Sequence, residues 1–224
     1  MLEQIREVRK PSGGKVFAAA ELELIADVAR RHDLFVFTDE IYEHFLFDGR
    51  RHISPASIPG LADRTITISG FSKTFSITGW RLGYTFAPAE LTRAITLVND
   101  LYFVCAPTPL QLGAARGFDA PRSYFDDLQS AYRKKRDLAC AALDRARLPP
   151  IVPEGAYYVL ADCTRLGFST SVQAAMHVLE KTQVASVAGS AFYRGAEGEK
   201  LLRFCFAKDD GVLEEACRRL AALR

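Results

Sequence analysis

Four side chains of different chemistry flank short apolar runs in the first half of the chain. Asp39 ends one run, Tyr42 follows three residues later, Lys73 comes after a second run, and Arg81 begins a third. Ligands of open α/β sheets bind at the carboxyl ends of the strands. We therefore expect this carboxylate, phenol, amine and guanidinium to meet at one edge of a sheet and to form a single binding site.

The same four groups suit pyridoxal phosphate. That cofactor needs a lysine for its Schiff base and a carboxylate that keeps its ring nitrogen protonated. Arg81 offers a planar fork that matches phosphate oxygens, and Tyr42 can donate a hydrogen bond to the ring oxygen. Lys73 is then the expected general base for the proton at the substrate Cα.

Each residue also has a structural interpretation when it is taken alone. Asp39 could cap the start of a helix, and Lys73 could lie in a solvated loop. Arg81 could be a structural cation, and Tyr42 could pack with nearby phenylalanines. The joint pattern favours the binding site over these alternatives.

Strand and helix patterns alternate around these residues and favour an open α/β sheet. Ala20–Arg31 has the spacing of an amphipathic helix. Leu34–Phe37 is a continuous apolar run, which predicts a strand buried on both faces. Two further strands are predicted at Thr65–Ser69 and Arg81–Ala87.

The second half of the chain predicts a smaller α+β unit, with domains at residues 1–120 and 121–224. Helices are predicted at Ala89–Phe103, from the proline-punctuated break Cys105–Pro109 to about Phe118, and between Pro121 and Pro149. The remaining predicted elements are strands at Ala156–Ala161, Val184–Val187 and Leu201–Ala207, and helices at Ser169–Lys181 and Asp209–Leu223.

Composition excludes several classes of partner. The 224 residues include 29 basic and 27 acidic side chains, so the net charge of +2 gives no reason to expect nucleic acid or a membrane. The five cysteines contain no CxxC pair, so they predict reduced core thiols in a cytoplasmic protein and no metal site. Met1–Lys10 is charged and amphipathic, without the apolar stretch of a signal peptide.

The segment Ser69–Tyr84, SGFSKTFSITGWRLGY, resembles the lysine signature of class I aminotransferases of fold type I. Asp39-Glu40-Ile41-Tyr42 resembles the strand-end aspartate and tyrosine of that family, and Leu201–Ala207 its C-terminal arginine strand. Within the family the likeness is closest to kynurenine, glutamine and methionine aminotransferases. It runs from about Gly14 to the C-terminus and covers the later half of a typical member, so the chain looks N-terminally truncated.

This resemblance implies a role for each candidate residue. Lys73 would hold pyridoxal phosphate, Asp39 would pair with its ring nitrogen, Tyr42 with its ring oxygen and Arg81 with its phosphate. Arg203 would grip the α-carboxylate of the substrate.

The implied fold is α/β: a partial fold-type-I large domain, with a mostly parallel sheet and helices on both faces, followed by an α+β small domain. The implied reaction moves an amino group between an amino acid and a 2-oxo acid, in a homodimer or in association with another chain. A cysteine-conjugate β-lyase and a non-catalytic interaction module are the alternatives. Gly189–Tyr193 has two interpretations that the sequence leaves open: a border of the substrate pocket, or a turn with a packed aromatic residue.

Overall fold

The computed structural model describes residues 13–193 and 195–223. It divides into two compact units. The first unit contains Val16–His44 and Arg51–Asp126. The second contains Phe45–Arg50 and the chain from Asp127 onward, together with the described residues before Val16. The domain boundary after residue 120 stays a prediction, and Met1–Lys10 lies outside the described residues.

A three-stranded sheet forms the centre of the first unit. Its strands are β1 (Val36–Asp39), β2 (Thr65–Gly70) and β3 (Gly83–Phe86), in the order β1-β2-β3. β1 and β2 are parallel, as the predicted fold requires, whereas β3 is antiparallel to β2. The chain can reverse here because the link between β2 and β3 contains only the short 3-10 turn Thr78–Trp80, rather than a crossover helix.

Three helices complete the regular structure of the first unit: α1 (Ala19–Arg31), α2 (Ala89–Phe103) and α3 (Thr108–Ala115). α1 is amphipathic as predicted, and the Glu21 carboxylate accepts the Ala18 N–H at its start, at 2.9 Å. Its buried face packs with residues that follow β1 and with Val36 of β1 itself. This core contains Leu22, Ala26, Ala29, Ile58 and Leu61.

The opposite face of β1 is exposed. Val36 packs towards α1, so the next side chain, Phe37, lies on the other face, where it is 69% exposed. The prediction that Leu34–Phe37 is buried on both faces is therefore wrong for the described part of the chain. α2 is also uncovered, with Leu101 84% exposed. None of the helices in the described ranges is long and apolar enough to cross a membrane.

The second unit is a four-stranded antiparallel sheet with helices. Its elements are α4 (Arg122–Arg145), β4 (Pro150–Ile151), β5 (Tyr158–Asp162), α5 (Ser171–Thr182), β6 (Val187–Ala188), β7 (Leu201–Cys205) and α6 (Asp210–Arg219). The strand order is β4-β5-β7-β6. The longest of these helices, α4, begins in the first unit and continues into the second.

A buried arginine fixes Phe45–Arg50 within the second unit. The Arg136 guanidinium donates to both carboxylate oxygens of Asp48, at 2.5 and 3.0 Å, and lies over the Phe47 ring. The hydrogen bonds from Arg136 hold the pKa of the Asp48 carboxyl below its usual value. A buried guanidinium that loses a carboxylate partner is costly, so this pair ties a distant segment of sequence to α4.

The cysteines only partly follow the expectation of five core thiols. Cys140, Cys163 and Cys217 are buried, and burial raises the pKa of Cys140 and of Cys163 to about 11. Cys105 and Cys205 are exposed, so the expectation is wrong for these two. Cys205 points outward because its neighbours along the chain are buried, and Cys105 follows the uncovered helix α2.

Gly14 provides a test of packing in the second unit. Its φ is +66°, and a Cβ atom there would lie 2.5 Å from the Gly155 carbonyl oxygen. We expect Gly14→Ala to destabilise the protein by about 1 kcal/mol through its backbone conformation, with roughly 1–3 kcal/mol more from crowding. Urea unfolding would measure both contributions together.

Gly49 is the matched control, because its φ is +74° but nothing lies within 4 Å of an added Cβ. Gly49→Ala should show the backbone cost without the crowding. Equal losses of stability in the two variants would contradict the close packing of Gly14.

Candidate functional site

Three of the candidate residues come to one edge of the first sheet because of its strand directions. Asp39 is the last residue of β1, and Lys73 follows the end of β2. Gly70 at the end of β2 pairs with Gly83 at the start of β3. Since β3 runs antiparallel, the segment before it, with Arg81, leaves the sheet at this same edge.

The β2–β3 pairing at this edge depends on glycine. A Cβ atom on Gly70 would lie 2.9 Å from the Leu82 carbonyl oxygen and 3.2 Å from the Gly83 Cα. The first distance is shorter than real Cβ atoms show and the second is tighter than most, so the absence of a side chain at Gly70 allows the two strands to approach closely. The Ile41 side chain lies 3.7 Å from the same Cβ position, which places the segment after β1 beside the segment after β2.

The chain turns immediately after Asp39. Its Oδ1 accepts a hydrogen bond from the Ile41 N–H at 3.2 Å, and residues 41–44 form a turn. No helix starts here, so the interpretation of Asp39 as a helix cap is wrong. Asp39 is exposed, and Tyr42 lies half-buried in the turn.

Glu40, which the sequence analysis did not select, is the most heavily hydrogen-bonded side chain at this edge among the described residues. Its buried carboxylate accepts from the Thr38 hydroxyl at 2.7 Å, His52 Nε2 at 2.6 Å and the Ser54 hydroxyl at 2.9 Å. Thr67 of β2 adds a longer contact at 3.3 Å. These donors come from both strands and from the loop between them, so Glu40 fixes the backbone that carries Asp39.

The same contacts keep Glu40 ionised. Burial alone would raise its pKa, but hydrogen bonds from His52, Thr38 and Ser54, with the charge on His52, lower the pKa below its usual value. The sequence signal was an acidic residue directly after a strand, with a histidine and a serine in the following loop. Nothing in that spacing shows that the carboxylate points into the protein.

Hydrogen bonds to the main chain hold the loop that carries Lys73. The Thr78 hydroxyl donates to the Ser72 carbonyl at 3.1 Å, and the Tyr124 hydroxyl donates to the Thr74 carbonyl at 2.6 Å. Ser72 and Thr74 are buried, whereas Lys73 between them is only half-buried. The lysine is therefore presented from a loop whose neighbouring residues are fixed.

Two aromatic rings that follow Lys73 in the chain pack against glycines that follow α2. A Cβ atom on Gly117 would lie 2.6 Å from the Phe75 ring, and one on Gly113 would lie 2.9 Å from the Trp80 ring. Phe75 also contacts Tyr124 and Phe125. The aromatic residues of the lysine segment thus serve as packing anchors for the loop.

Arg81 and Asp39 have no partner of opposite charge among the described residues. Arg81 is exposed, in the left-handed conformation at φ 56°, and its Nη1 donates to the Thr78 carbonyl at 3.1 Å. Within the same part of the chain, the carboxylate of Asp39 accepts only from the Ile41 N–H. Both charges therefore remain available to a ligand at the edge that carries Lys73.

Arg203 lies in β7 of the second unit, between two aromatic rings. Its guanidinium carbon is 3.7 Å from the Phe192 ring centroid and 4.2 Å from that of Tyr158. The Nε atom is buried without a hydrogen-bond acceptor, and no described carboxylate forms an ion pair with Arg203. A buried donor without an acceptor is costly, which suits a side chain that receives an anionic ligand.

The five candidate residues are thus distributed over both units. Asp39, Tyr42, Lys73 and Arg81 belong to the first unit, and Arg203 belongs to the second. Their assembly into one active site stays a prediction.

Known proteins resemble nearly the whole chain. A family model for aminotransferase class I and II matches residues 11–220. Kynurenine–oxoglutarate transaminase 3 of Rattus norvegicus is 35% identical over 222 residues, which cover 91% of this chain and 49% of that protein. Aspartate aminotransferase of Pyrococcus abyssi is 38% identical over 209 residues, covering 92% of this chain and 53% of that protein.

Solved structures give the same result. N-succinyldiaminopimelate aminotransferase from Mycobacterium tuberculosis superposes with a TM-score of 0.91 at 36% identity, covering 96% of this chain and 56% of that one. Aromatic aminotransferase from Pyrococcus horikoshii gives a TM-score of 0.87 at 37% identity, covering 94% of this chain and 56% of that one. The chain therefore spans about half the length of the relatives it matches.

The ionised state of Glu40 predicts a pH dependence of stability. Because its pKa is lower in the folded state, its stabilising contribution is present above the unfolded pKa and is lost as the pH falls through the folded one. Glu40→Gln cannot ionise. We expect the parent to be the more stable protein near neutral pH, and the difference to shrink as the solution is acidified.

Urea unfolding of both proteins between neutral pH and about pH 3 would measure this difference. Glu23→Gln, at an exposed position of α1, is the control for a change of one surface charge. A stability difference between parent and Glu40→Gln that stays constant with pH would contradict the proposed state of Glu40.

Proposed function

Because the chain belongs to the class I and II aminotransferase family, we propose that it transfers an amino group between an amino acid and a 2-oxo acid with pyridoxal 5′-phosphate. The observation that carries this proposal is the charge arrangement at the sheet edge. An aspartate and an arginine, each without an opposite charge among the described residues, accompany Lys73 at the carboxyl ends of β1 and β2.

The donor set of this edge fits the cofactor. Arg81 offers parallel N–H donors for phosphate oxygens. Among the described residues its exposed guanidinium makes one main-chain hydrogen bond, which a phosphate could replace. The carboxylate of Asp39 can hold the proton on the ring nitrogen, and the Tyr42 hydroxyl can donate to the ring oxygen. Lys73 supplies the amine that binds the cofactor covalently.

Each residue has a distinct part in the proposed reaction. When bound, the cofactor supplies an electron sink for the negative charge that develops at the substrate Cα. Asp39 maintains that sink by keeping the ring nitrogen protonated, and Glu40 fixes the strand end from which Asp39 acts. The Lys73 amine moves the proton at the substrate Cα.

Arg203 is the proposed site for the substrate α-carboxylate. A guanidinium binds a carboxylate through two parallel hydrogen bonds, and the buried Nε of Arg203 has no acceptor within the described protein. Both amino acids and 2-oxo acids carry this carboxylate, so one arginine serves both substrates.

We also propose that the first unit pairs with a second copy of the chain through α2. None of the α2 side chains is buried, and Leu97, Leu101, Tyr102 and Phe103 are all largely exposed. An apolar helix face of this extent on a water-soluble protein is typical of an interface between proteins.

The cofactor proposal is tested by titrating the purified chain with pyridoxal phosphate. We expect a visible absorption band, and after borohydride reduction a covalent adduct that peptide mapping places on Lys73. Lys73→Ala should lose both the band and the adduct, because Lys73 is the lysine that stands at this sheet edge among the described residues. Lys181→Ala, an exposed lysine of α5, should keep both.

The absence of a band in folded parent protein would overturn the proposed cofactor site. An adduct distributed over surface lysines, and unchanged in Lys73→Ala, would do the same.

The proposed interface is tested by introducing a charge on α2. We expect Leu101→Lys to weaken self-association by at least about tenfold, because it places an ammonium group at the most exposed apolar position of the helix. Sedimentation velocity over a range of concentrations measures the effect. Leu24→Lys is the matched control, since Leu24 is an exposed leucine of α1. A parent that remains monomeric at every concentration would contradict the interface.

A further inference from the structure

We propose that Glu199, Ser171 and Ser190 form a positioning network that keeps Phe192 stacked on Arg203. This inference rests on the proposed role of Arg203 as the carboxylate site and names the residues that set its geometry. All of them lie in the second unit, so the network is described within one compact body.

Ser171, the first residue of α5, is the centre of the network and is completely buried. Its N–H and its hydroxyl lie 2.6 and 2.9 Å from the same oxygen of Glu199, which accepts from both. The Ser171 hydroxyl oxygen accepts the Ser190 N–H at 3.2 Å and lies 3.0 Å from the Ser190 hydroxyl. One serine therefore joins the start of α5 to two separate loops.

Those two loops are packed backbone against backbone. A Cβ atom on Gly189 would overlap the Gly198 carbonyl oxygen, and one on Gly198 would lie 3.0 Å from the Gly189 carbonyl oxygen. Ser190 and Glu199 follow these glycines directly. The loop that carries Ser190 thus has little freedom to move without breaking its contacts to Ser171.

Phe192 is held at the end of the same loop. Residues Gly189–Ala191 form a 3-10 turn, and the Phe192 N–H donates to the Gly189 carbonyl at 2.9 Å. From this position the Phe192 ring covers one side of the Arg203 guanidinium, at 3.7 Å. Ser171 binds Ser190, which lies two residues before Phe192 in the same loop. The contacts of Ser171 therefore fix the position of the ring that contacts Arg203.

This arrangement orients Arg203 without neutralising it. An acidic partner would also fix the guanidinium, but it would compete with a substrate carboxylate for the same donors. Aromatic rings attract the cation through their faces and leave its N–H groups in the guanidinium plane free to donate. The acidic residue of the network, Glu199, acts instead on Ser171 at the start of α5, where a negative charge is favourable.

The Arg203 Nε–Hε resonance in a ¹⁵N-labelled chain provides the test, because its chemical shift reports the ring currents of Phe192 and Tyr158. Arg203→Lys assigns the resonance. We expect Ser171→Ala and Glu199→Ala to shift this resonance. A pyruvate titration followed by the same resonance should show an affinity roughly three- to fivefold weaker, which corresponds to the loss of one partly exposed cation–π contact.

Two variants separate positioning from general damage to the fold. Glu199→Gln keeps an acceptor oxygen for Ser171, so it should restore most of the shift and of the pyruvate affinity. Thr170→Ala removes the hydrogen bond that caps α5 at the Gln173 N–H but leaves the network intact, and it should change neither readout.

The outcomes distinguish the network from the proposed function. Pyruvate that fails to move the Arg203 resonance of the parent overturns the carboxylate site, while the shifts in the variants still test the network. An Arg203 resonance unchanged in folded Ser171→Ala and Glu199→Ala overturns the network. Should both variants fail to fold, Phe192→Leu takes their place, and unchanged pyruvate affinity in that variant overturns the proposal.

Discussion

The close antiparallel approach of β3 to β2 is the constraint on which the proposed cofactor site depends. The Gly70–Gly83 pairing allows the two backbones to meet where a side chain at Gly70 would strike the Leu82 carbonyl. That pairing returns the chain to the edge it has just left. As a result, residues on opposite sides of a loop, Lys73 and Arg81, stand at the same end of the sheet as Asp39.

The site residues are themselves held by groups that have no chemical part in the proposed reaction. Glu40 ties the end of β1 to the loop after it, Thr78 and Tyr124 bind the main chain around Lys73, and Ser171 fixes the loop that covers Arg203. Glu40 and Ser171 are more deeply buried than Asp39 and Arg203, the residues they support. Within each unit, therefore, the more accessible candidate residues are supported by polar groups that are themselves hydrogen-bonded.

The sequence pointed to the candidate residues but not to the groups that support them. The lysine segment was recognisable because its pattern extends over Ser69–Tyr84, and α1 and α2 were recognisable from helical periodicity. The direction of β3 was not, since strand periodicity carries no information on parallel or antiparallel pairing. The central role of Glu40 and the exposure of Phe37 were also missed, because both depend on which parts of the chain cover each face of the sheet.

The Arg136–Asp48 pair has a consequence for how this chain can be divided. Asp48 belongs to a short segment that the chain contributes to the second unit before it returns to the first. A fragment that begins at Asp127 would keep the buried guanidinium of Arg136 but lose its two hydrogen bonds to Asp48, leaving the neighbouring Asp137 as its carboxylate partner among the described residues. A single proteolytic cut between the units would therefore release a piece whose core contains an under-compensated charge. The second unit is compact in space but discontinuous in sequence, and it could be isolated as a stable domain only by rejoining its segments in a new order.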